Sequence, residues 1–168
     1  VTIVPRGKAL GLTWTRPAED STHLTRNEMY EQIVSLLGGR VAEELTFGDY
    51  SGGASNDIQR ASAMARKMVT VYGMSEKLGA ISFSSGQDEV FLGRSMSQQG
   101  RGYSEEVAAG IDSEVKAIID AAYRRCETVL EEHREKLTAV AEYLLEHETM
   151  SGEEFAAVMG FEKAKISE

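Results

Sequence analysis

Apolar residues recur every three or four positions along most of this chain, which is the pattern of helices that bury one face. The clearest series consists of Val107, Ile111, Val115, Ile118, Ala122, Cys126 and Val129. An earlier series consists of Met29, Ile33, Leu36, Leu37, Val41 and Leu45. Helices of this kind are stable only when they pack on one another, so the sequence predicts a mainly α fold built helix on helix.

Polar residues and glycines mark where these helices begin and end. Residues 25–28 have the Thr-x-x-Glu spacing of a capping box, which predicts that the first helix starts at Thr25. Residues 55–57 are cap-type residues before a second helix, which we expect to end at Gly73 because glycine adopts the left-handed conformation at little cost. The charged run 131–136 predicts a change of helix, and Ser151 predicts the start of a short last one.

The start of the chain gives the only convincing strand signal, and residues 78–83 are predicted to be a weak strand or an extended connector. Residues 1–14 are rich in Val, Ile, Leu and Thr and are broken by Pro5-Arg6-Gly7-Lys8, which predicts a small N-terminal β-hairpin. Residues 84–103 contain many Gly, Ser and Gln residues and are predicted to form a loop. The chain opens on strand-like residues without a Met, and we expect it to be a piece of a longer protein.

Charge and composition disfavour several classes of protein. The chain of 168 residues has 18 Lys and Arg against 27 Asp and Glu, a net charge of −9, which makes nucleic acid and anionic membranes poor partners. Its apolar stretches are far shorter than the roughly 20 residues that cross a bilayer, so we expect a soluble chain. The single cysteine, Cys126, excludes an internal disulfide and lies on an apolar stripe, which favours a small core residue.

The residues that could carry chemistry give weak signals by themselves. The three histidines, none spaced i, i+4 with another, are His23, His133 and His147. A His-Glu-x-x-His zinc motif is therefore absent, and each histidine is most simply a surface residue. Asp57 is most simply an acid favoured by the positive end of a helix dipole, although an Asp oxygen can also bind zinc beside two imidazoles. Glu43 and Glu44 are interpreted in the same way as solvated helix acids.

Several segments, taken together and in order, resemble one protein family. They are residues 1–11, 36–44, 51–58 (Ser-Gly-Gly-Ala-Ser-Asn-Asp-Ile), 72–75, 103–106 and 132–137. They resemble the peptidase domain of FtsH-type membrane-anchored ATP-dependent zinc metalloproteases, and the likeness covers nearly the whole chain. It implies that residues 1–168 are the C-terminal portion of a helical, bundle-like peptidase domain with a small N-terminal β-hairpin. The ATPase module and the transmembrane anchor of such proteins would lie elsewhere.

The resemblance also implies roles for particular residues. In that family two zinc ligands and the general base come from a His-Glu-x-x-His helix shortly before the segment that matches Val1, so this chain has no catalytic residue of its own and should be inactive alone. The third ligand matches Asp57. Glu44 matches a family acid near the site and would accept a ligand histidine's second N–H, unless it is only a surface acid. The strand at the substrate edge would be Lys8, Ala9, Leu10, Gly11, Leu12, Thr13 and Trp14.

The function that the resemblance implies belongs to a longer parent protein. Such a parent degrades unfolded and membrane proteins processively, as a homo-hexamer at the cytoplasmic side of the cell membrane, and uses Zn²⁺ together with ATP in its ATPase module. This chain would supply the third zinc ligand, the substrate-edge strand and the oligomerisation helices. Nucleic acid is not an expected partner. The alternatives are a non-catalytic helical assembly module of a metal-free homologue and, less in keeping with the ordered motifs, an unrelated acidic adaptor.

Overall fold

The chain is mainly helical, as the sequence predicts. A computed structural model describes residues 1–4, 24–83 and 103–161. The α-helices within these ranges are α1 (Arg26–Phe47), α2 (Ser55–Thr70), α3 (Glu105–Glu132), α4 (Arg134–His147) and α5 (Gly152–Met159). A 3-10 turn, Gly52–Ala54, directly precedes α2.

The predicted N-terminal hairpin is not seen in the described residues. Thr2 makes a single antiparallel bridge with Thr149, and the part of the chain that the structure describes contains no strand. The rest of the predicted hairpin, including the substrate-edge strand at residues 8–14, lies outside the described ranges. The loop predicted at 84–103 also lies outside them, except for Tyr103.

The described residues form two compact units. The larger contains residues 24–83 and 103–128, with α1, α2 and most of α3. The smaller contains residues 1–4 and 129–161, with the last turn of α3, α4 and α5. The assignment of residues 1–168 to one peptidase-domain portion stays a prediction.

The core of the larger unit is made by the apolar faces that the sequence predicts. The side chains with no exposed area are Ile33 and Val41 of α1, Ala61, Ala65 and Val69 of α2, and Ile111 and Ala122 of α3. Cys126 is also buried, which confirms that it is a core residue, and this burial raises the pKa of its thiol. The remaining members of the α3 series, Val107, Val115, Ile118 and Val129, are only half-buried.

The capping box predicted at Thr25 is present. The Thr25 hydroxyl accepts a hydrogen bond from the Glu28 N–H, and the Glu28 carboxylate accepts one from the Thr25 N–H. Ser151 and Glu154 make the same pair of bonds at the start of α5. The charged run also breaks the helix as predicted, because His133 lies between the end of α3 and the start of α4 with φ −115°.

The start of α2 differs from the prediction. Ser51 caps the 3-10 turn, and Ala54, which directly precedes α2, has no side chain that can cap. The helix ends at Thr70, three residues before Gly73, but Gly73 does adopt the expected left-handed conformation, with φ +59°. Residues 78–83 form a turn and an extended connector, with no strand.

Gly38 and Gly39 do not interrupt α1. The helix continues through both, and no atom of the described residues lies within 4 Å of a Cβ built at either position. Two adjacent glycines in a helix interior cost stability and suggest close approach of another backbone, but the described part of this chain provides no such contact.

The smaller unit joins α4 and α5 to the start of the chain. Leu144 and Met150 are its buried apolar side chains, and the Tyr143 hydroxyl donates to the Glu154 carboxylate at 2.6 Å. The backbone nitrogen of Val1 donates to the Met150 carbonyl at 2.7 Å, and the Met150 N–H donates to the Val1 carbonyl at 2.8 Å. The first residues are thereby fixed at the turn between α4 and α5.

None of the described helices combines the length and the apolar character that a bilayer span requires.

Candidate metal-ligating site

Asp57 lies in the first turn of α2, as the sequence predicts. Its side chain is 47% exposed, and one carboxylate oxygen lies 3.5 Å from the Arg60 guanidinium. That distance is longer than the 2.7–2.9 Å typical of a charge-assisted hydrogen bond, so the carboxylate is held loosely. Asp57 is thus both a first-turn acid, favoured by the helix dipole, and an accessible oxygen donor.

The turn before Asp57 is held to α1 by Glu43. One carboxylate oxygen accepts from the Ser51 N–H at 2.9 Å, and the other accepts from the Ser51 hydroxyl at 2.8 Å. The Ser51 hydroxyl oxygen also accepts from the Gly53 N–H at 3.1 Å. These bonds, the backbone bond first, lower the pKa of Glu43. Our interpretation of Glu43 as an ordinary solvated acid missed this role, for which the only sequence signal was the short glycine-rich connection between two predicted helices.

Arg40 provides a second attachment for the same turn. Its guanidinium carbon lies 3.0 Å from the centroid of the Tyr50 ring, the geometry of a cation–π contact. Arg40 and Glu43 lie one turn apart on α1, so both attachments come from the same end of that helix.

Glu44 is used by a different part of the structure. Its carboxylate accepts a hydrogen bond from the Tyr123 hydroxyl, which joins α1 to α3 across 79 positions of sequence. Burial first, and then this bond, raises the pKa of Tyr123 to about 12. Glu44 therefore has a structural partner that the sequence did not indicate. Its predicted bond to a ligand histidine stays a prediction.

The described residues do not form a complete metal site. Zinc in a catalytic site takes three protein ligands and a water, whereas the described ranges contain no group of three His, Cys, Asp or Glu side chains placed to hold a metal. His133 and His147 are exposed, as predicted, and His147 stacks on Tyr143; His23 lies outside the described residues. Asp57 fits one position of a zinc site, and the other donors would have to come from elsewhere.

One surface groove of the larger unit lies among other residues. It has a volume of about 590 Å³ and is lined by Tyr30, Met68, Glu76, Lys77 and Ile118, among others. Arg26 and Glu76, which both line it, form an ion pair at 3.0 Å. Among the residues that the structure describes, neither Asp57 nor Glu44 lines this groove.

The turn and helix that carry Asp57 are part of a recognisable peptidase domain. Residues 1–158 match the model of peptidase family M41, so the chain belongs to that family. This confirms the FtsH-type resemblance, which had been drawn from short motifs.

Its similar relatives are bacterial proteases. They include ATP-dependent zinc metalloprotease FtsH 1 of Thermoanaerobacter sp. (strain X514), 54% identical over 162 residues, which are 96% of this chain and 26% of that protein. The FtsH of Caldicellulosiruptor bescii is 51% identical over 165 residues, 98% of this chain and 26% of that protein. The FtsH of Thermotoga maritima is 45% identical over 169 residues, 100% of this chain and 28% of that protein. The chain spans about a quarter of the length of these relatives.

Proposed function

We propose that this chain acts as the C-terminal portion of the peptidase domain of an ATP-dependent zinc endopeptidase. The observation that carries the proposal is the family match over residues 1–158, together with relatives that are named ATP-dependent zinc metalloproteases. The complete protein would degrade unfolded and membrane proteins processively as a homo-hexamer at the cytoplasmic side of the membrane. Its preceding segment would supply the His-Glu-x-x-His helix.

In this proposal Asp57 contributes one carboxylate oxygen as the third protein ligand. The bound zinc would polarise the peptide carbonyl and lower the pKa of its water, while the proton would go to the glutamate of the preceding helix. Two features of Asp57 support the role. Its carboxylate is 47% exposed, and its backbone belongs to a helix, which keeps the ligand in a defined direction.

Two further roles belong to the same proposal. Residues 8–14 would form an edge strand to which an extended substrate adds as another strand, so that backbone hydrogen bonds give affinity with broad sequence tolerance. Glu44 would accept a ligand histidine's second N–H. A carboxylate has about four lone-pair positions, so its bond from Tyr123 leaves capacity for such a second donor.

The experiment that tests the zinc role uses the full-length protein and Asp57→Asn, which keeps the side-chain shape and removes the charge. We expect the variant to lose most of its bound zinc, measured by elemental analysis, and to degrade casein with ATP more than about 100-fold more slowly. The effect is large because the substitution removes a zinc ligand, not a residue that only orients a ligand. The matched control is Asp112→Asn on α3, because Asp112 is also an exposed aspartate paired with an arginine. Asp112→Asn should keep both zinc and activity.

Two results would contradict the proposal. Full zinc content and full activity in Asp57→Asn would remove Asp57 from the site. A full-length protein that assembles but binds no zinc would support the non-catalytic assembly module instead.

A further inference from the structure

The turn that leads to Asp57 is rich in glycine and is held to α1 by side-chain contacts. Gly48, Gly52 and Gly53 all lie between the end of α1 and the start of α2, and glycine gives a backbone more conformations than any other residue. Ala54 is the turn's buried apolar side chain. A flexible turn here would let the first turn of α2 start in more than one direction.

Glu43 restricts this freedom through Ser51. Both of its oxygens accept from that one residue, at 2.8 and 2.9 Å, and bonds to a carboxylate are roughly twice as strong as bonds between neutral groups. The Ser51 hydroxyl passes the restraint to the Gly53 N–H, at the start of the 3-10 turn that runs into α2. A continuous series of hydrogen bonds therefore connects α1 to the backbone that carries Asp57.

We propose that Glu43 is a positioning residue for Asp57: it fixes Ser51, and through Ser51 the direction in which the ligand-bearing helix begins. This inference rests on the proposed function, because it matters only if Asp57 binds the metal. It gives the adjacent acids different roles, since Glu43 holds the turn and Glu44 holds α3. In this role Glu43 bonds Ser51, and Asp57 rather than Glu43 binds the metal.

The expected effect on zinc affinity follows from what side chains that orient a metal ligand, without binding the metal, usually contribute. Removing such a group typically costs 10–100-fold in metal affinity, so we expect Glu43→Ala to weaken zinc binding by roughly that factor. Glu43→Gln should stay within about threefold, because its amide oxygen can accept from the Ser51 N–H while its amide nitrogen donates to the Ser51 hydroxyl oxygen. Ser51→Ala should weaken binding as Glu43→Ala does, and the double variant should be no worse than either single one, because the two residues act as one unit.

Zinc affinity is measured in the full-length protein by competition with a chelator, and ligand geometry is measured from the visible absorption of the Co²⁺-substituted protein. Glu43→Ala should change the Co²⁺ spectrum, and Glu43→Gln should restore it. The control is Glu31→Ala, which removes an exposed acid elsewhere on α1. In the 168-residue chain, hydrogen exchange of the Ser51 and Gly53 amides should speed up in Glu43→Ala and not in Glu31→Ala, a readout that needs no metal.

The outcomes separate this inference from the function on which it rests. If Asp57→Asn loses zinc while Glu43→Ala binds it as tightly as the unaltered protein, the positioning role is overturned and the ligand role stands. If Glu43→Gln loses as much affinity as Glu43→Ala, Glu43 acts by charge or as a direct ligand, and the positioning role is again overturned. If Asp57→Asn keeps its zinc, the proposed function fails and the positioning role fails with it.

Discussion

The bond between Tyr123 and Glu44 should make the larger unit lose stability in alkali. Burial first, and then the neighbouring carboxylate, raises the pKa of Tyr123 from 10.0 to about 12. In the unfolded chain this phenol titrates near 10. A group whose pKa is raised by folding stabilises the folded state while it is protonated. That contribution is fully present below about pH 10 and is lost as the pH rises to about 12.

A shift of about two units corresponds to about 2.7 kcal/mol if the whole shift is expressed as stability. Tyr123 is only partly buried, and solvent screening reduces the interaction, so we expect about 1 kcal/mol. The assay is urea unfolding of the unaltered chain and of Tyr123→Phe at a series of pH values from 9 to 12. The free energy of unfolding of the unaltered chain should exceed that of Tyr123→Phe by about 1 kcal/mol at pH 9, and this difference should disappear by pH 12.

The control is Tyr30→Phe, which removes a hydroxyl from a half-buried tyrosine of α1 that makes no hydrogen bond within the described residues. Its stability should run parallel to that of the unaltered chain over the same range. The reasoning would be refuted if the free energy of unfolding of Tyr123→Phe also stayed at a constant difference from that of the unaltered chain. The hydroxyl would then contribute nothing that depends on its proton. Direct titration at 295 nm adds a second check, because one tyrosine should ionise near pH 12.

Further predictions concern two separate glycines, Gly73 and Gly48, and one acid, Glu154. Gly73→Ala should cost more than about 2 kcal/mol in urea unfolding, because its φ is +59° and a Cβ would lie 2.9 Å from the Ala80 Cα. Gly48→Ala, at φ +67° with no described atom within 4 Å of a Cβ, should cost only about 1 kcal/mol, and equal losses would contradict this. The pKa of Glu154 is lowered from 4.5 to about 2, by the Tyr143 bond first, so its stabilisation is present above pH 4.5 and lost as the pH falls to about 2. The unfolding temperature of Glu154→Gln should therefore fall less between pH 4.5 and about pH 2 than that of the unaltered chain. An equal fall in the two proteins would count against this assignment.

The parts of the fold that were predictable are those with local causes. The Thr25 and Ser151 capping boxes are complete within four residues, so both helix starts could be predicted from the sequence. The left-handed Gly73 and the helix break at 131–136 are local in the same sense. The start of α2 was predicted less well, because Ser51 caps a 3-10 turn that shows no periodic pattern.

The contacts of the candidate site were not predictable because they join distant residues. Glu43 and Ser51 lie eight residues apart, on either side of a turn whose path no sequence rule gives. Tyr123 and Glu44 lie 79 residues apart, and their contact depends on how α1 packs with α3. Acids are common on this chain, so only coordinates can separate those with structural partners from those without. The assignment of Asp57 as a ligand came from resemblance, and the geometry adds only its accessibility.

The bonds between Val1 and Met150 have a consequence for synthesis on the ribosome. Their two partners are 149 residues apart, so at about 5–20 residues per second Met150 is made about 7–30 s after Val1. During that interval the Val1 carbonyl and the Ile3 N–H lack their native partners, which are the Met150 N–H and the Glu148 carbonyl. An unpaired extended segment readily pairs with a strand of another chain. This segment of the nascent protein is thus exposed to mispairing until the turn between α4 and α5 has left the ribosome.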